Sequence, residues 1–279
     1  MQTESKSAHG VSPARTGKEQ ELRALMRSFG SVLVAYSGGV DSSYLAWVAN
    51  DELGEAAEAV TGLSPSVSGH QRQQAESFAR RHGLRWRTVE TREIESEKYR
   101  ANAGDRCFFC KDELYGVMAE IVGNAEAVVL DGTNADDLGD HRPGRKAAEI
   151  RNVRSPLAEL GFSKAEIREM SRHHGLETAE LPASPCLASR IAPGTPVSIG
   201  RLTAVEKGEE IIRRHGFREF RLRVHGDLAR IEVAKDEFGH LLQAKLLDQL
   251  AGELRPLGFK FVTLDLEGFR SGSMNPADE

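Results

Sequence analysis

Short apolar runs alternate with amphipathic segments through the first half of the chain. Residues 18–28 have the spacing of an amphipathic helix, with Leu22, Leu25 and Met26 on one side. The runs that follow predict strands at 32–36, 57–61, 85–89 and 127–131, and helices at 42–53, 69–82 and 109–122. Alternation at this spacing predicts an α/β domain in which a parallel sheet has helices on both faces.

The pattern changes in the second half. A helix at 163–174 is expected to begin at Ser163, where Glu166 completes a capping box. Residues 178–200 are rich in Pro, Ser and Ala, which is typical of a loop. The segments after them predict a smaller α+β unit, with helices at 201–215 and 236–251 and strands at 219–224, 228–233 and 259–266.

These patterns divide the chain into five parts. They are a disordered tail (1–17), an α/β domain (18–177), a connecting loop (178–200), a smaller C-terminal domain (201–270) and a second tail (271–279). The first tail is polar and has no apolar central stretch, so we interpret it as disordered and not as a signal peptide.

Composition and charge narrow the possible functions. The 279 residues are 39% hydrophobic and 28% charged, as in an ordinary globular protein. The net charge of −5 argues against a nucleic-acid partner, which would need a broad basic face. No apolar run approaches the roughly 20 residues of a membrane helix, so we expect no membrane partner and a cytoplasmic location.

A glycine- and serine-rich segment lies between the first predicted strand of the sheet and the helix after it. This pyrophosphate loop (residues 37–43) reads Ser37, Gly38, Gly39, Val40, Asp41, Ser42 and Ser43. Glycines let the backbone approach a ligand, and the unpaired N–H groups at a helix start point at an anion. Asp41 would repel a bare phosphate unless a divalent cation lay between them, which indicates magnesium pyrophosphate and hence a nucleoside triphosphate.

The pyrophosphate loop is not a Walker sequence, because the Gly-Lys-Ser/Thr ending is missing. The alternative is a serine- and glycine-containing turn that only caps a helix. The loop resembles the SGGxDS segment of the PP-loop ATP pyrophosphatases, which cleave ATP between the α- and β-phosphates.

Two further strand ends are expected at the same edge of the sheet, where ligands of such sheets bind. The aspartate loop (residues 131–137) contains Gly132, Thr133 and Asn134, small residues that suit close contact with a nucleotide, and its carboxylates could help to hold magnesium. By itself this loop favours a polar turn with solvated acids, whereas its place at the same sheet edge as the pyrophosphate loop favours nucleotide binding. Thr61 and Leu63, at the end of another strand, are predicted to contact adenine or ribose.

Three cysteines are the next candidates for chemistry. Cys107 and Cys110 are separated by two residues, a spacing that suits a redox pair, half of a zinc site or two ligands of an iron–sulfur cluster. Cys186 lies in the Pro/Ser-rich loop, beside Arg190. The alternative is that these are three unrelated thiols.

Arg221 and Arg223 alternate with apolar residues, so their guanidinium groups are expected on one face of a strand. Two adjacent arginines can bind a phosphate or a carboxylate, although a solvated strand face is the alternative. Glu206, Glu209 and Glu210 are either ordinary helix acids or partners of these arginines.

Together these segments resemble the LarE family, the ATP-dependent sulfur transferases that help to build the nickel-pincer cofactor of lactate racemase. The resemblance covers the chain after the first tail, and the pyrophosphate loop within it is shared by PP-loop enzymes in general. The resemblance also rests on segments 106–111, 131–137, 185–190, 221–226 and 262–274. Of these, the two cysteine segments (106–111 and 185–190) and the last segment point to this family.

The resemblance implies that the substrate is pyridinium-3,5-biscarboxylic acid mononucleotide. ATP would adenylate a carboxylate with release of pyrophosphate, and sulfur would then displace AMP to give a thiocarboxylate. Asp41 would hold magnesium, while the substrate phosphate or carboxylates would be held by Ser189, Arg190, Arg221 and Arg223. A homo-oligomer is also implied, since hexamers are known in the family.

Two sulfur sources occur in the family. One branch has only the cysteine matching Cys186 and donates the sulfur of that residue. The other has cysteines matching Cys107, Cys110 and Cys186, which hold a [4Fe–4S] cluster. This chain has all three, so the resemblance favours the cluster, and sacrificial donation from Cys186 is the alternative.

Other functions remain as alternatives. A tRNA thiolase also combines ATP with a cysteine-held cluster, but the net charge and the lack of an added RNA-binding module argue against it. Amide-forming PP-loop enzymes need an ammonia source and have no use for these cysteines. A zinc-binding or nucleotide-sensing module without catalysis is the alternative from another class.

Overall fold

The computed structural model describes residues 13–123, 125–139 and 143–270. The predicted tail at 271–279 and residues 1–12 of the first predicted tail lie outside these ranges. The helices and strands, in chain order, are α1 (Pro13–Phe29), β1 (Val32–Ala35), α2 (Val40–Leu53), β2 (Ala57–Leu63), α3 (Gly69–Arg81), β3 (Trp86–Glu90), α4 (Glu97–Ala101), α5 (Arg106–Val122), β4 (Val128–Leu130), α6 (Pro143–Ile150), α7 (Pro156–Glu159), α8 (Lys164–His173), α9 (Ile199–Arg214), β5 (Phe220–His225), β6 (Leu228–Val233), α10 (Phe238–Leu241), α11 (Ala244–Leu254) and β7 (Phe261–Leu264).

A parallel sheet with the order β3-β2-β1-β4 organises the first part of the chain. β1 is central and pairs with β2 and β4, and Val32 lies opposite both Ala57 and Val128. Because β1 is covered on both faces, it consists of apolar residues without alternation. The prediction of a parallel α/β sheet is confirmed.

Helices α1 and α2 contribute to the same core. Leu22 and Met26 of α1 are fully buried, as are Tyr44 and Leu45 of α2. Helix α1 begins at Pro13, so residues 13–17 belong to a helix although their composition suggested a tail. Proline fits the first turn because an N–H group there needs no partner within the helix.

A smaller mixed sheet with the order β5-β6-β7 follows. β5 and β6 form an antiparallel hairpin, and β7 lies parallel to β6. Helix α9 packs closely on this sheet, since a Cβ atom on Gly208 would lie only 2.2 Å from Leu222 Cδ2. The predicted smaller α+β unit is therefore present.

Contacts divide the chain into two units that are interleaved in sequence. The first contains the described residues up to Leu63, together with Gly69–Thr91 and Lys111–Ser184. The second contains Ser64–Ser68, Arg92–Cys110 and the described residues from Pro185 onward. The sequence pattern places the first two of these segments in the α/β domain.

Asn102 joins two of the segments that build the second unit. Its side-chain amide donates hydrogen bonds to the carbonyl oxygens of Ile191 (3.3 Å), Ala192 (2.9 Å) and Thr195 (3.0 Å). Asn102 also has a positive φ of 52°, which asparagine tolerates better than most residues, and it ends α4. None of the helices in the described part of the chain has the length and apolar character needed to span a bilayer.

Candidate nucleotide, cysteine and arginine sites

The pyrophosphate loop connects the end of β1 to the start of α2. Gly38 has a φ of +75°, and a Cβ atom there would lie 3.0 Å from Ala75 Cα, so glycine is required for both conformation and space. Gly39 is the N-cap of α2 and supplies no side-chain cap to the first N–H groups. Ser42 Oγ accepts a hydrogen bond from Ser37 N at 3.2 Å and closes the loop. The result is a helix start arranged to bind an anion.

The carboxylate of Asp41 has one neutralised oxygen and one orphaned oxygen. Oδ2 accepts a hydrogen bond from Lys164 Nζ, the first residue of α8. Oδ1 is buried and has no hydrogen-bond partner among the described residues. An orphaned carboxylate oxygen beside an anion-binding helix start fits a hard cation such as Mg²⁺.

The aspartate loop contacts the pyrophosphate loop. A Cβ atom on Gly132 would lie 2.9 Å from Ser42 N and 3.0 Å from Ser42 Cα, so only glycine allows the two backbones to come this close. The gathering of these loops at one edge of the sheet, expected from their strand ends, is therefore seen in the structure.

Asp131 stabilises the aspartate loop from within. Its buried carboxylate accepts hydrogen bonds from Lys111 Nζ (3.1 Å), Tyr115 Oη (2.8 Å), Thr133 Oγ1 (2.9 Å) and Ser155 Oγ (2.7 Å). Burial raises the pKa of Asp131, but the charge of Lys111 and these hydrogen bonds outweigh it and lower the pKa overall. The expectation that the carboxylates of this loop help to hold magnesium does not fit Asp131, because protein donors already occupy its oxygens.

The other predicted nucleotide contacts also have structural partners. Asn134 Oδ1 accepts the N–H groups of Asp136 (3.0 Å) and Asp137 (3.2 Å), which shapes the aspartate loop. Thr61 Oγ1 donates to Tyr36 O at 2.7 Å and accepts from Trp86 Nε1 at 2.9 Å, so its side chain links neighbouring strands. Leu63 is half-buried at the end of β2.

The three cysteines all belong to the second unit and form what we call the cysteine cluster (Cys107, Cys110 and Cys186). Cys107 and Cys110 lie near the start of α5, and Cys186 is the N-cap of a short 3₁₀ helix, Leu187–Arg190. Burial raises the pKa of Cys110 well above its usual value, and Glu93, Cys186 and Cys107 raise it further, whereas Arg106 lowers it. Cys110 and Cys186 also pack against the same hydrophobic core of the second unit, and Cys107 precedes Cys110 by three residues on α5.

The donor set of the cysteine cluster suits a soft metal centre. Within the described ranges, no three His, Cys, Asp or Glu side chains are arranged to hold a single metal ion. A multinuclear iron–sulfur cluster is ligated differently, because each thiolate binds a separate iron. Cysteine thiolates are the donor type that such a cluster uses.

Arg190 connects the cysteine cluster to a buried ion pair. Its guanidinium binds Glu209 through Nε (2.9 Å) and Nη2 (3.2 Å). Its Nη1 donates to the carbonyl oxygens of Pro185 (2.6 Å) and Cys186 (3.2 Å) and to Ser189 Oγ (3.0 Å). Arg190 thus fixes the backbone on both sides of Cys186.

Arg221 and Arg223 lie on one face of β5, as their alternation predicts. Arg223 is buried and pairs with Glu232 at 3.0 Å, so a solvated strand face is the wrong interpretation for this residue. Burial, together with the charges of Arg190 and Arg223, lowers the pKa of Arg221 to about 10. Mutual repulsion among these arginines would be relieved by a bound anion.

Sequence reasoning singled out Glu209 but did not identify Lys164, Glu232 or Glu93 as site residues. Lys164 contacts Asp41 across 123 positions of the chain, and no local pattern signals such a contact. Glu93 lies in an acidic stretch of the kind that is normally solvated. Its burial depends on tertiary packing.

Sequence similarity to known proteins identifies the family of the chain. No protein-family model matches it. It is 34% identical over 260 residues to pyridinium-3,5-bisthiocarboxylic acid mononucleotide synthase of Lactiplantibacillus plantarum. The aligned region covers 92% of this chain and 94% of the relative. The chain belongs to the LarE family.

Two other relatives span most of the chain. A protein of Synechocystis, slr1717, is 41% identical over 261 residues, or 92% of this chain and 97% of the relative. A protein of Methanocaldococcus jannaschii, MJ0830, is 29% identical over 243 residues, which cover 86% of this chain and 91% of the relative. Both are described as uncharacterised. As a LarE-family protein with a PP-loop fold, the chain is an ATP-dependent enzyme.

Proposed function

We propose that the chain is an ATP-dependent sulfur transferase that converts the carboxylates of pyridinium-3,5-biscarboxylic acid mononucleotide into thiocarboxylates. The observation that carries the proposal is the pyrophosphate loop, with its uncapped helix start and the orphaned Oδ1 of Asp41, in a member of the LarE family. The name of the Lactiplantibacillus plantarum relative supports the substrate assignment.

The pyrophosphate loop has the properties needed for the activation step. A carboxylate is a poor electrophile, and a direct exchange of oxygen for sulfur would have to expel oxide. In the proposed step a substrate carboxylate oxygen attacks the α-phosphorus of ATP, and the bond to the β-phosphate oxygen breaks. The N–H groups of α2 and a magnesium ion on Asp41 would stabilise the negative charge of the departing pyrophosphate.

The three arginines provide a binding site of opposite charge to the substrate. Arg190, Arg221 and Arg223 lie in one neighbourhood, with Ser189 beside them. Glu209 and Glu232 neutralise part of this charge, which keeps the arginines ordered in the absence of substrate. We assign them to the phosphate or the carboxylates of the substrate, because arginine binds both groups in bidentate fashion.

The cysteine cluster is the proposed source of sulfur. Cys107, Cys110 and Cys186 would hold a [4Fe–4S] cluster, which when bound would supply sulfide at the iron that no cysteine ligates. Metal binding must displace the thiol proton of each cysteine, because the thiolate is the ligand. In the alternative, Cys186 gives up its own sulfur, and Cys107 and Cys110 then have no assigned role.

The proposal makes a direct test possible. Incubation with ATP, magnesium and the pyridinium dicarboxylate should release AMP and pyrophosphate only when that substrate is present, and ADP as the product would refute the mechanism. Cys186→Ala should abolish thiocarboxylate formation. Ser184→Ala, an exposed change in the same loop, is the matched control and should have no effect.

Two measurements distinguish the sulfur sources. Iron and sulfide analysis of anaerobically purified protein separates a cluster from a single zinc ion. The protein mass after turnover tests sacrificial donation, because a loss equal to one H₂S would mean that Cys186 was consumed. We also propose a homo-oligomer, which light scattering of the purified protein would measure.

A further inference from the structure

Donor groups of Arg190 and Ser189 hold the main-chain carbonyl of Cys186. Arg190 Nη1 donates to it at 3.2 Å, and Ser189 donates through its backbone N–H (3.0 Å) and its Oγ (2.7 Å). Arg190 Nη1 also donates to the carbonyl of Pro185 at 2.6 Å. Arg223 Nη1 donates to the carbonyl of Ser189 at 3.2 Å. The backbone around Cys186 is therefore held by residues that the proposed function assigns to the substrate. We call the contacts of Arg190 with Pro185 and Cys186 the Arg190 clamp.

The residues that follow Cys186 are anchored by other groups. Leu187 N donates to Ser66 O at 2.8 Å. Arg106 Nη1 donates to Ala188 O at 2.8 Å. Both Leu187 and Ala188 are buried, and neither Ser66 nor Arg106 is assigned to the substrate. The backbone after Cys186 thus has an anchor that substrate binding would leave in place. All of these residues belong to the second unit.

The guanidinium of Arg190 already uses both of its edges. An arginine binds a carboxylate or a phosphate best through two adjacent N–H groups. Glu209 occupies the edge formed by Nε and Nη2. The other edge combines Nη2 with Nη1, and the two N–H groups of Nη1 serve acceptors on Pro185, Cys186 and Ser189. A substrate anion can therefore bind Arg190 in bidentate fashion only if Nη1 gives up at least one of these acceptors.

Charge and burial determine which contacts the anion replaces. The ion pair of Arg190 with Glu209 is buried, with 5% and 9% of the two side chains exposed, and breaking it would leave a buried carboxylate without its cation. The carbonyl groups are neutral, and a guanidinium binds an anion more strongly than a neutral oxygen. Pro185 is exposed, so water can replace Arg190 at its carbonyl. The carbonyl contacts are therefore the ones that break.

We propose that Arg190 is a positioning residue for Cys186 as well as a substrate ligand, and that a substrate anion bound to Arg190 opens the Arg190 clamp. The inference rests on the proposed function, because it takes the arginines as the anion site. Without substrate, the clamp keeps the segment that carries Cys186 in one conformation. The substrate favours the open conformation because its anion binds Nη1 only there. The step involves only the backbone around Cys186, so it applies to either sulfur source.

Hydrogen exchange of the full-length, metal-free protein, followed by mass spectrometry of overlapping peptides, tests the opening. The pyridinium dicarboxylate substrate is added without ATP, and sodium chloride at equal ionic strength is the reference. The amide of Ser189, which donates to Cys186 O, should exchange roughly tenfold faster with the substrate. The amide of Leu187, anchored on Ser66, should not change. Unchanged or slower exchange at Ser189, while calorimetry shows that the substrate binds, would overturn the proposal.

Arg190→Lys provides a second measurement. A lysine can still pair with Glu209 but lacks a second edge with which to hold the carbonyl groups. The Ser189 amide should therefore exchange fast without the substrate, and the substrate should change this rate little. Arg201→Lys is the matched control, because Arg201 also donates to a main-chain carbonyl of the second unit, that of Pro196 at 3.1 Å. It should respond to the substrate like the wild type. Wild-type exchange in Arg190→Lys, with and without substrate, would contradict the clamp.

AMP release measures the proposed function separately. A wild-type protein that releases AMP when the substrate is present but shows no faster exchange at Ser189 would keep the sulfur-transferase function and exclude the clamp. A calorimetric titration that detects no binding of the substrate would overturn both the assignment of the arginines and the clamp. Faster exchange at Ser189 without any AMP release on addition of ATP would support the clamp and count against the proposed function.

Discussion

Lys164 donates a hydrogen bond to Oδ2 of Asp41, while Oδ1 of the same carboxylate is buried without a hydrogen-bond partner among the described residues. Lys164 is the first residue of α8, and Ser163 before it is the N-cap of that helix. A cation and an anion are therefore already paired at the pyrophosphate loop. Bound magnesium pyrophosphate would bring a further cation and a further anion to the same place.

Replacing Lys164 should slow the activation step. Lys164→Gln removes a positive charge beside the departing pyrophosphate, and the rate of AMP formation should fall about 100-fold, as when one stabilising donor is lost. Pyrophosphate release measures this rate. Lys18→Gln is the matched control, because Lys18 has similar exposure and pairs with Glu166 of the same helix at 2.9 Å. Equal rates for the two variants would contradict the role of Lys164.

Gly132 should be intolerant of a side chain. In Gly132→Ala the new methyl group would press on the Ser42 backbone, which should lower the free energy of unfolding by about 1–3 kcal/mol and weaken ATP binding. Urea denaturation and calorimetric titration with ATP measure the two effects. Gly139→Ala is the control, because its nearest contact would be 4.0 Å away. If both variants bind ATP like the wild type, the close approach of the loops is not needed for binding.

The ion pair between Arg223 and Glu232 should matter more for stability than an exposed pair. Glu232 is fully buried, and Glu232→Gln would remove the carboxylate that neutralises Arg223, at a cost of about 3–5 kcal/mol in the free energy of unfolding. Glu253 pairs with Arg214 at 3.1 Å on the surface, so Glu253→Gln should cost about 0–1 kcal/mol. Chemical denaturation compares the two, and equal costs would argue against burial as the cause.

Glu19 should make stability depend on acidic pH. Burial raises its pKa, but hydrogen bonds from His174 (2.8 Å), Arg23 (3.0 Å) and Tyr44 (3.0 Å) outweigh it and lower the pKa from 4.5 to about 2. Because the pKa is lower in the folded protein, this stabilisation is present above pH 4.5 and is lost as the pH falls toward 2.

The Glu19→Gln variant tests this dependence. At pH 7 it should unfold with about 3 kcal/mol less free energy than wild-type protein, and the difference should shrink between pH 4.5 and 2. Urea denaturation across this range is the measurement. Glu21→Gln, an exposed change in the same helix, should show no such trend. A difference that stays constant with pH would exclude ionisation of Glu19 as its origin.

Local patterns predicted the first unit well. The apolar run at β1 and the capping box at α8 involve residues close together in sequence, and Ser163 and Glu166 exchange the expected hydrogen bonds. The prediction of one continuous helix at 236–251 is wrong. The segment is divided into α10 and α11, because Gln243 adopts an extended conformation (φ −68°, ψ 122°) that local helix propensity does not reveal.

The parts of the site that sequence did not reveal depend on contacts between distant positions. Glu93 has acidic neighbours that are solvated, so only the tertiary structure shows that it is buried. Likewise, the second unit takes Arg92–Cys110 from within the first part of the chain. Periodicity records which face of an element is apolar but does not record which distant segment covers it.

The interleaving of the two units limits how the protein can be divided. A fragment starting at Pro185 would contain Cys186 and the arginines but would lack Cys107, Cys110 and the amide of Asn102 that holds the following backbone. Cutting the gene at that point would separate the thiols and leave the carbonyl groups of Ile191 and Ala192 without their donor. Insertions and deletions between positions 92 and 110 would therefore alter the chemistry of a region encoded much later in the chain.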